Sequence, residues 1–127
     1  MTNETIHKER TTDLGVVRIN NDAITTIASV AAMEVRGVYK MGGSIGRSLK
    51  ELVFGRTLSG GVRIKMAEGE VQLAVSVIVE YGVQVPRVAD EVQENVKRAV
   101  EKMTGLVLSE VDVIVEGVHA VKDKKVS

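Results

Sequence analysis

The chain has 127 residues, of which 44% are hydrophobic and 2% aromatic; its 17 basic and 17 acidic residues balance, and it contains no cysteine. This length suits one compact domain with a single core, and the missing cysteine excludes disulfides, thiolate zinc sites and cysteine nucleophiles. The few aromatic rings offer little for base stacking, the polar first residues do not resemble a signal peptide, and no apolar run approaches the roughly 20 residues of a membrane helix, so a cytoplasmic protein is expected.

The charges are divided unevenly along the chain. Residues 36–65 carry seven bases and one acid, whereas residues 66–121 carry ten acids and four bases. This division favours contact with an oppositely charged partner or with another copy of the chain. A solvated, charged surface is the alternative interpretation.

The first half of the sequence predicts a flexible tail, a strand and a helix. Residues 1–14 are polar and form the predicted tail, and "GVVRI" (15–19) reads as a short strand. In "NNDAITTIASVAAMEVRGV" apolar residues recur at helical spacing, with Asn20 to Asp22 offering a side-chain oxygen to the first turn and Gly37 ending the pattern. The next stretch, "YKMGGSIGRSLKELVFGRTLSGG", predicts a mobile loop with one short helix from Arg47 to Phe54.

The stretch "GVRIKMAEGEVQLAVSVIVEYG" contains two runs of strand-forming residues and predicts a β-hairpin with its turn near Glu68 and Gly69. Alternation in the second run predicts one buried face and one wet face. The predicted buried side chains are those of Val71, Leu73, Val75, Val77, Val79 and Tyr81.

A long amphipathic helix follows the hairpin, with Pro86 at its first turn and Gly105 as its end. Its apolar stripe consists of Val85, Val88, Ala89, Val92, Val96, Ala99, Val100 and Met103. A last strand, "LVLSEVDVIVEGV", places Val107, Val111, Val113 and Val115 on one face. The order β-α-β-β-α-β predicts an α+β domain over residues 15–118, with two amphipathic helices packed on one face of a mixed sheet. Residues 119–127 are predicted to form a charged C-terminal tail.

Acidic side chains on the polar face of the predicted strands form a candidate interaction face: Glu80, Glu110, Asp112 and Glu116. Carboxylates side by side suit acid–base chemistry or a hard cation, but a wet sheet face explains them more simply. His7 and His119 are too few and too far apart to suggest a metal site or a catalytic triad. We therefore expect no catalytic residue, no metal and no cofactor.

A second candidate site is the basic, glycine-rich loop over residues 40–56, where "GSIG" is surrounded by bases. Its candidate residues for polyanion binding are Lys40, Gly43, Gly46, Arg47 and Lys50. KH domains clamp a nucleic-acid backbone with a GxxG loop in such a setting, because glycine amides can approach phosphate closely. A flexible basic loop without a ligand is the simpler interpretation, and nucleic acid is an unfavoured partner.

The segments "GVVRI", "AITTIASVAAMEVRGV", "GGVRIKM", "VSVIVEYGVQVPRVADEVQENVKRAVEKMTGL" and "SEVDVIVEGV" closely resemble the alkaline shock protein family of Gram-positive bacteria, an envelope stress response family. The resemblance covers Gly15 to Val118. It implies a soluble, non-enzymatic stress protein that self-associates and is held near the membrane by a separate anchor protein. The alternative function is binding of a nucleic acid or another anionic ligand through the loop over residues 40–56.

Overall fold

A computed structural model of the protein describes residues 8–43, 60–67 and 69–121. Its elements, in chain order, are β1 (Lys8–Thr12), β2 (Gly15–Ile19), α1 (Asn21–Met33), β3 (Val38–Met41), β4 (Val62–Ala67), β5 (Glu70–Glu80), α2 (Val85–Thr104) and β6 (Leu108–His119). The predicted α+β class and element order are confirmed, and β1 and β3 are two strands more than the sequence predicted. The predicted short helix from Arg47 to Phe54 lies outside the described residues.

Strand β5 is the centre of the main sheet. Strand β6 pairs with it in parallel along one side, while β3 and β4 pair with it antiparallel along the other. The two shorter strands therefore lie end to end and meet beside Ser76. There the Gly42 amide donates to the Ser76 carbonyl at 2.8 Å, and the Ser76 amide donates to the Gly61 carbonyl at 2.7 Å.

The core lies between this sheet and the two helices. The first five residues of the face predicted for β5 are buried, and α2 contributes a fully buried stripe, Val88, Val92, Val96 and Val100. Both helices contribute buried side chains to this one core, so the prediction that they cover one face of a mixed sheet is confirmed. Burial of these valines and of the small residues of α1 is the main stabilising contribution to the fold.

Three side chains assigned to the buried stripes are exposed instead. Tyr81 is 77% exposed, Met103 is 67% exposed and Val107 is 78% exposed. Each lies at an element's end, where the chain departs from the regular geometry: Tyr81 and Val107 are outside their strands, and Met103 is in the last turn of α2. The apolar pattern in the sequence therefore extends one position beyond the part of each element that is buried.

Helix α1 ends earlier than the apolar pattern predicts, at Met33. Val35 and Val38 are buried, but they lie in the turn and in β3, where Val38 pairs with Val79. Asn20 occupies the N-cap position without a side-chain capping bond, and the amides of Ala23 and Ile24 donate to its backbone carbonyl.

The N-terminal residues from Lys8 form a hairpin, where the sequence predicted only a tail up to residue 14. Strand β1 pairs with β2, the predicted "GVVRI" strand, and these two form a separate sheet. The Leu14 amide donates to the Thr12 hydroxyl at 3.0 Å in the turn, and Arg18 pairs with Glu9 at 2.8 Å. Backbone pairing with β2 makes residues 8–12 a strand, although their sequence lacks hydrophobic alternation, and these polar contacts support the hairpin.

Glu101 links the end of α2 to the start of β6. Its carboxylate accepts a bond from the Lys97 ammonium at 2.7 Å and another from the Leu108 amide at 2.8 Å. The Lys97 bond, followed by the Leu108 amide, lowers the pKa of Glu101 below its ordinary value. Both contacts favour the ionised carboxyl.

We expect this carboxyl to make stability depend on pH in the acidic range. Unfolding removes both contacts and returns the pKa of Glu101 to about its ordinary 4.5, so the folded protein binds the proton less readily. The stabilisation is complete above that ordinary pKa and is lost as pH falls through the lower, folded-state pKa. In urea unfolding at neutral and acidic pH, Glu101→Gln should lose less stability on acidification than the wild type. Glu94→Gln, an exposed change on the same helix, should behave as wild type; identical pH dependence in all three proteins would contradict the assignment.

Candidate functional site

The sheet surface opposite the helices, here called the outer face, carries Lys40 and the four predicted acidic residues. Pairing across the strands arranges its side chains in three rows. The basic row on β3 and β4 consists of Lys40, Arg63 and Lys65, and the middle row on β5 consists of Gln72, Ala74, Ser76 and Ile78. The acidic row on β6 begins with Glu110 and Asp112 and continues with the exposed Ile114 and the unpaired bulge residue Glu116.

The four predicted acidic residues lie on this face but do not form one cluster. Glu110 and Asp112 are exposed side by side on β6. Glu80 lies beyond the middle row, with its carboxylate 3.6 Å from Nδ1 of His119. The carboxylate of Glu116 accepts a bond from the Gly43 amide at 2.8 Å. Only Glu110 and Asp112 therefore present carboxylates without a hydrogen bond or ion pair among the residues that the structure describes.

The bond between Glu116 and Gly43 joins the two candidate sites proposed from the sequence. The register of β6 against β5 shifts between Val115 and Gly117, and Glu116 is the additional residue. Its side chain crosses the outer face to the end of β3. A Cβ atom on Gly42 would lie 2.6 Å from the Glu116 carboxylate oxygen, so the crossing depends on a glycine at that position.

The candidate polyanion loop is only partly described. Lys40 is an exposed residue of β3 with its ammonium 6.0 Å from the Tyr39 ring centre, and Gly43 follows that strand. Gly46, Arg47 and Lys50 lie outside the described residues. The Gly43 amide, which a phosphate would approach, is already bonded to the Glu116 carboxylate. An anion at this amide would have to displace a carboxylate of the protein itself.

Arg63 and Lys65 are functional candidates that the sequence prediction did not include. Both are exposed on β4, and each lies opposite a residue of the middle row. The alternation in "VRIKM" contained the signal, because a hairpin turn near Gly69 places both bases on the wet face of the sheet. The sequence did not show that β4 and β6 lie on opposite sides of β5, which places these bases across the sheet from the acidic residues.

His119, for which the sequence suggested neither a metal site nor a catalytic triad, stacks on Tyr39 with the ring centres 3.7 Å apart. Its Nδ1 atom is buried and has no hydrogen bond within the described residues. His7 lies outside them. Across residues 8–43, 60–67 and 69–121, no group of three or more histidine, aspartate or glutamate side chains is placed to hold a metal ion. Neither helix in these ranges is long and apolar enough to cross a membrane.

Comparison with known proteins places these features in a family context. The model of the alkaline shock protein 23 family, described as having a "cell envelope-related function", matches residues 9–120. The uncharacterized protein YqhY of Bacillus subtilis is 36% identical over 109 residues, which cover 85% of this chain and 80% of YqhY. A stress response regulator gls24 homolog of Streptococcus pyogenes is 28% identical over 116 residues, covering 87% of this chain and 65% of that protein. Among solved structures, a form of the MamM CTD aligns at a TM-score of 0.47 and 18% identity, over 76% of this chain and 96% of that one.

Proposed function

This chain belongs to the alkaline shock protein 23 family, whose function is related to the cell envelope, and on that premise we propose that it acts without catalysis, through contacts with other proteins. The resemblance to the alkaline shock protein family is thereby confirmed. We propose further that it serves the response to envelope stress, that it self-associates, and that a separate anchor protein brings it to the membrane.

One observation supports contact as the mode of action: the outer face carries opposite charges along its two margins. Arg63 and Lys65 are exposed on one side, and Glu110 and Asp112 are exposed on the other. None of these four side chains forms an ion pair within the described part of the chain. Unpaired charges at a surface steer a partner and fix its orientation more than they add affinity. The outer face is therefore the contact surface that we propose.

The test is capture of partners from cells by the tagged, full-length chain, with membrane and soluble fractions analysed separately. We expect the wild type to retain a protein from the membrane fraction and the variant Glu110→Lys with Asp112→Lys to lose it. The matched control is Asp90→Lys with Glu94→Lys, which makes the same change of charge on an exposed part of α2. Equal capture by all three proteins would exclude the outer face as the contact surface.

A second candidate function, binding of a polyanion, is favoured by the basic row alone. Single-stranded RNA is a suitable probe because it presents a row of phosphates. Binding through phosphate contacts weakens steeply as the salt concentration rises, so the test compares low and high salt. Binding by the wild type at low salt, lost on changing Arg63→Glu with Lys65→Glu but retained by Arg36→Glu with Lys102→Glu, would support this second function. The absence of wild-type binding at low salt would remove it.

A further inference from the structure

Read across the outer face from β4 to β6, the side chains follow the same order of charge at two successive positions along the sheet. Lys65 lies opposite Gln72, which lies opposite Glu110. Two residues further along β5, the same order recurs as Arg63, Ala74 and Asp112. The side chains run from base through a neutral residue to acid each time, so the face has one basic margin and one acidic margin.

Near the far end of β5 the order ends. Lys40 pairs with Ile78, Ile78 pairs with Gly117, and the carboxylate of the neighbouring Glu116 crosses the face to the Gly43 amide. Between the margins, the residues of the middle row are half-buried, and two of them, Ala74 and Ser76, are short. The helices lie on the opposite side of the sheet. Beside Gln72 and Ala74, a shallow neutral strip thus separates Arg63 and Lys65 from Glu110 and Asp112.

We propose that this face binds the same face of a second copy of the chain, related by a two-fold axis parallel to β5. Rotation by 180° about that axis exchanges left and right, so the basic row of each copy lies over the acidic row of the other. An axis in the sheet plane but perpendicular to β5 would place like charges together, which is unfavourable. Charge alone therefore selects one of the two face-to-face orientations.

The free edge of β6 is a poorer contact for a second copy. Near its start the edge is covered by α2, since Gln93 donates to the Val111 carbonyl at 2.9 Å and Lys97 donates to the Leu108 carbonyl at 3.0 Å. Antiparallel pairing of two β6 strands about Ile114 would also set Asp112 opposite Glu116 of the other copy. Like charges in opposite positions destabilise a strand pair.

The outer face is small for a protein–protein interface. Strand β5 has 11 residues, and with spacings of roughly 3.3 Å along a strand and 4.8 Å between strands the face covers about 500 Å² per copy, or about 1,000 Å² in a pair. This is the lower end of specific interfaces, so the dimer is reversible and salt-sensitive. The inference rests on the proposed function, in that it names a second copy as one partner of the outer face.

Sedimentation equilibrium at low and high salt tests the dimer with two complementary variants. Arg63→Glu with Lys65→Glu makes both margins acidic, and Glu110→Lys with Asp112→Lys makes both basic. We expect each variant alone to raise the dimer dissociation constant at least about tenfold, because symmetry applies each change twice. An equimolar mixture of the two should form heterodimers, since each margin again meets its opposite.

Two controls separate this result from general effects of charge and folding. Arg36→Glu with Lys102→Glu changes the net charge as much as the acidic variant does, but at exposed positions outside the outer face, and should dimerise as wild type. Circular dichroism should give each variant the melting behaviour of a folded domain. Folded variants that stay monomeric when mixed would overturn the proposal.

The molar mass of the wild type in the same sedimentation experiment can contradict the proposal in two ways. A mass that rises past the dimer with concentration would indicate head-to-tail association and overturn the two-fold arrangement. A strict monomer at low salt would also overturn it, and the capture experiment then shows whether the proposed function survives. For a strict monomer, loss of a membrane-fraction partner on reversing Glu110 and Asp112 would leave the proposed contact with an anchor protein standing, whereas unchanged capture would remove that contact as well.

Discussion

Replacing Val96 by aspartate is expected to unfold the protein at ambient temperature. Val96 is 0% exposed and lies in the stripe of α2 that faces the sheet. The new carboxylate would be buried among valines and alanines without a partner, which costs several kcal/mol even if the group takes up a proton. Domains of this size are stable by only about 5–15 kcal/mol, so a loss of this size is enough to unfold one of ordinary stability. Circular dichroism and urea unfolding would show the loss of helix and of a cooperative transition.

The matched control introduces the same side chain seven residues further along the same helix. Met103 also continues the apolar stripe, yet it is 67% exposed, so Met103→Asp buries no charge. We expect it to cost less than about 1 kcal/mol, arising from a negative charge near the C-terminal end of the helix. Equal destabilisation by the two changes would show that the described face of α2 is not the buried one.

The contrast between Val96 and Met103 also shows how far periodicity predicts this fold. Spacings of three and four residues identified α2, and alternation identified β5, because in both elements one face meets the core over many successive positions. The pattern does not report where an element ends, since an apolar residue one position past the end looks the same in sequence. Tyr81 and Val107 were assigned to the core for this reason.

Strand β3 could not be predicted from its own residues. The segment "VYKM" is four residues long, alternates imperfectly and is followed by glycines, so nothing local distinguishes it from a loop. It is a strand because the free side of β5 beyond Ser76 supplies pairing partners for its backbone. Long-range hydrogen bonding determines such a strand, and a single sequence does not display it.

The candidate site also has a part that the sequence predicts and a part that it does not. Alternation placed Glu110 and Asp112 on the polar face of β6 correctly, and the same rule applied to β4 would have placed Arg63 and Lys65. Their arrangement as opposite margins of one surface depends on β5 lying between the two strands. The crossing of Glu116 to the Gly43 amide depends on a shift of register within β6. The charged residues were predictable from the sequence, but their geometry was not.

The meeting point of β3 and β4 provides the second large effect, in the change Gly61→Ala. Gly61 has a φ of +89°, which side-chain-bearing residues rarely adopt. An added Cβ would also lie 2.9 Å from the Gly42 carbonyl oxygen and 3.1 Å from that of Ser76. These are backbone atoms held by the bonds that join the two strands to β5, so they cannot move away without breaking those bonds.

Gly69→Ala separates the cost of backbone conformation from the cost of this contact. Gly69 has nearly the same φ, +82°, but an added Cβ would meet nothing within 4 Å. Its replacement should cost only the left-handed conformation, about 1–2 kcal/mol. Gly61→Ala should cost roughly 1–3 kcal/mol more, the usual penalty for forcing atoms into a packed site. Urea unfolding of both variants measures the difference directly: a clearly lower midpoint for Gly61→Ala supports the junction beside Ser76, whereas equal midpoints would show that β3 and β4 do not converge there.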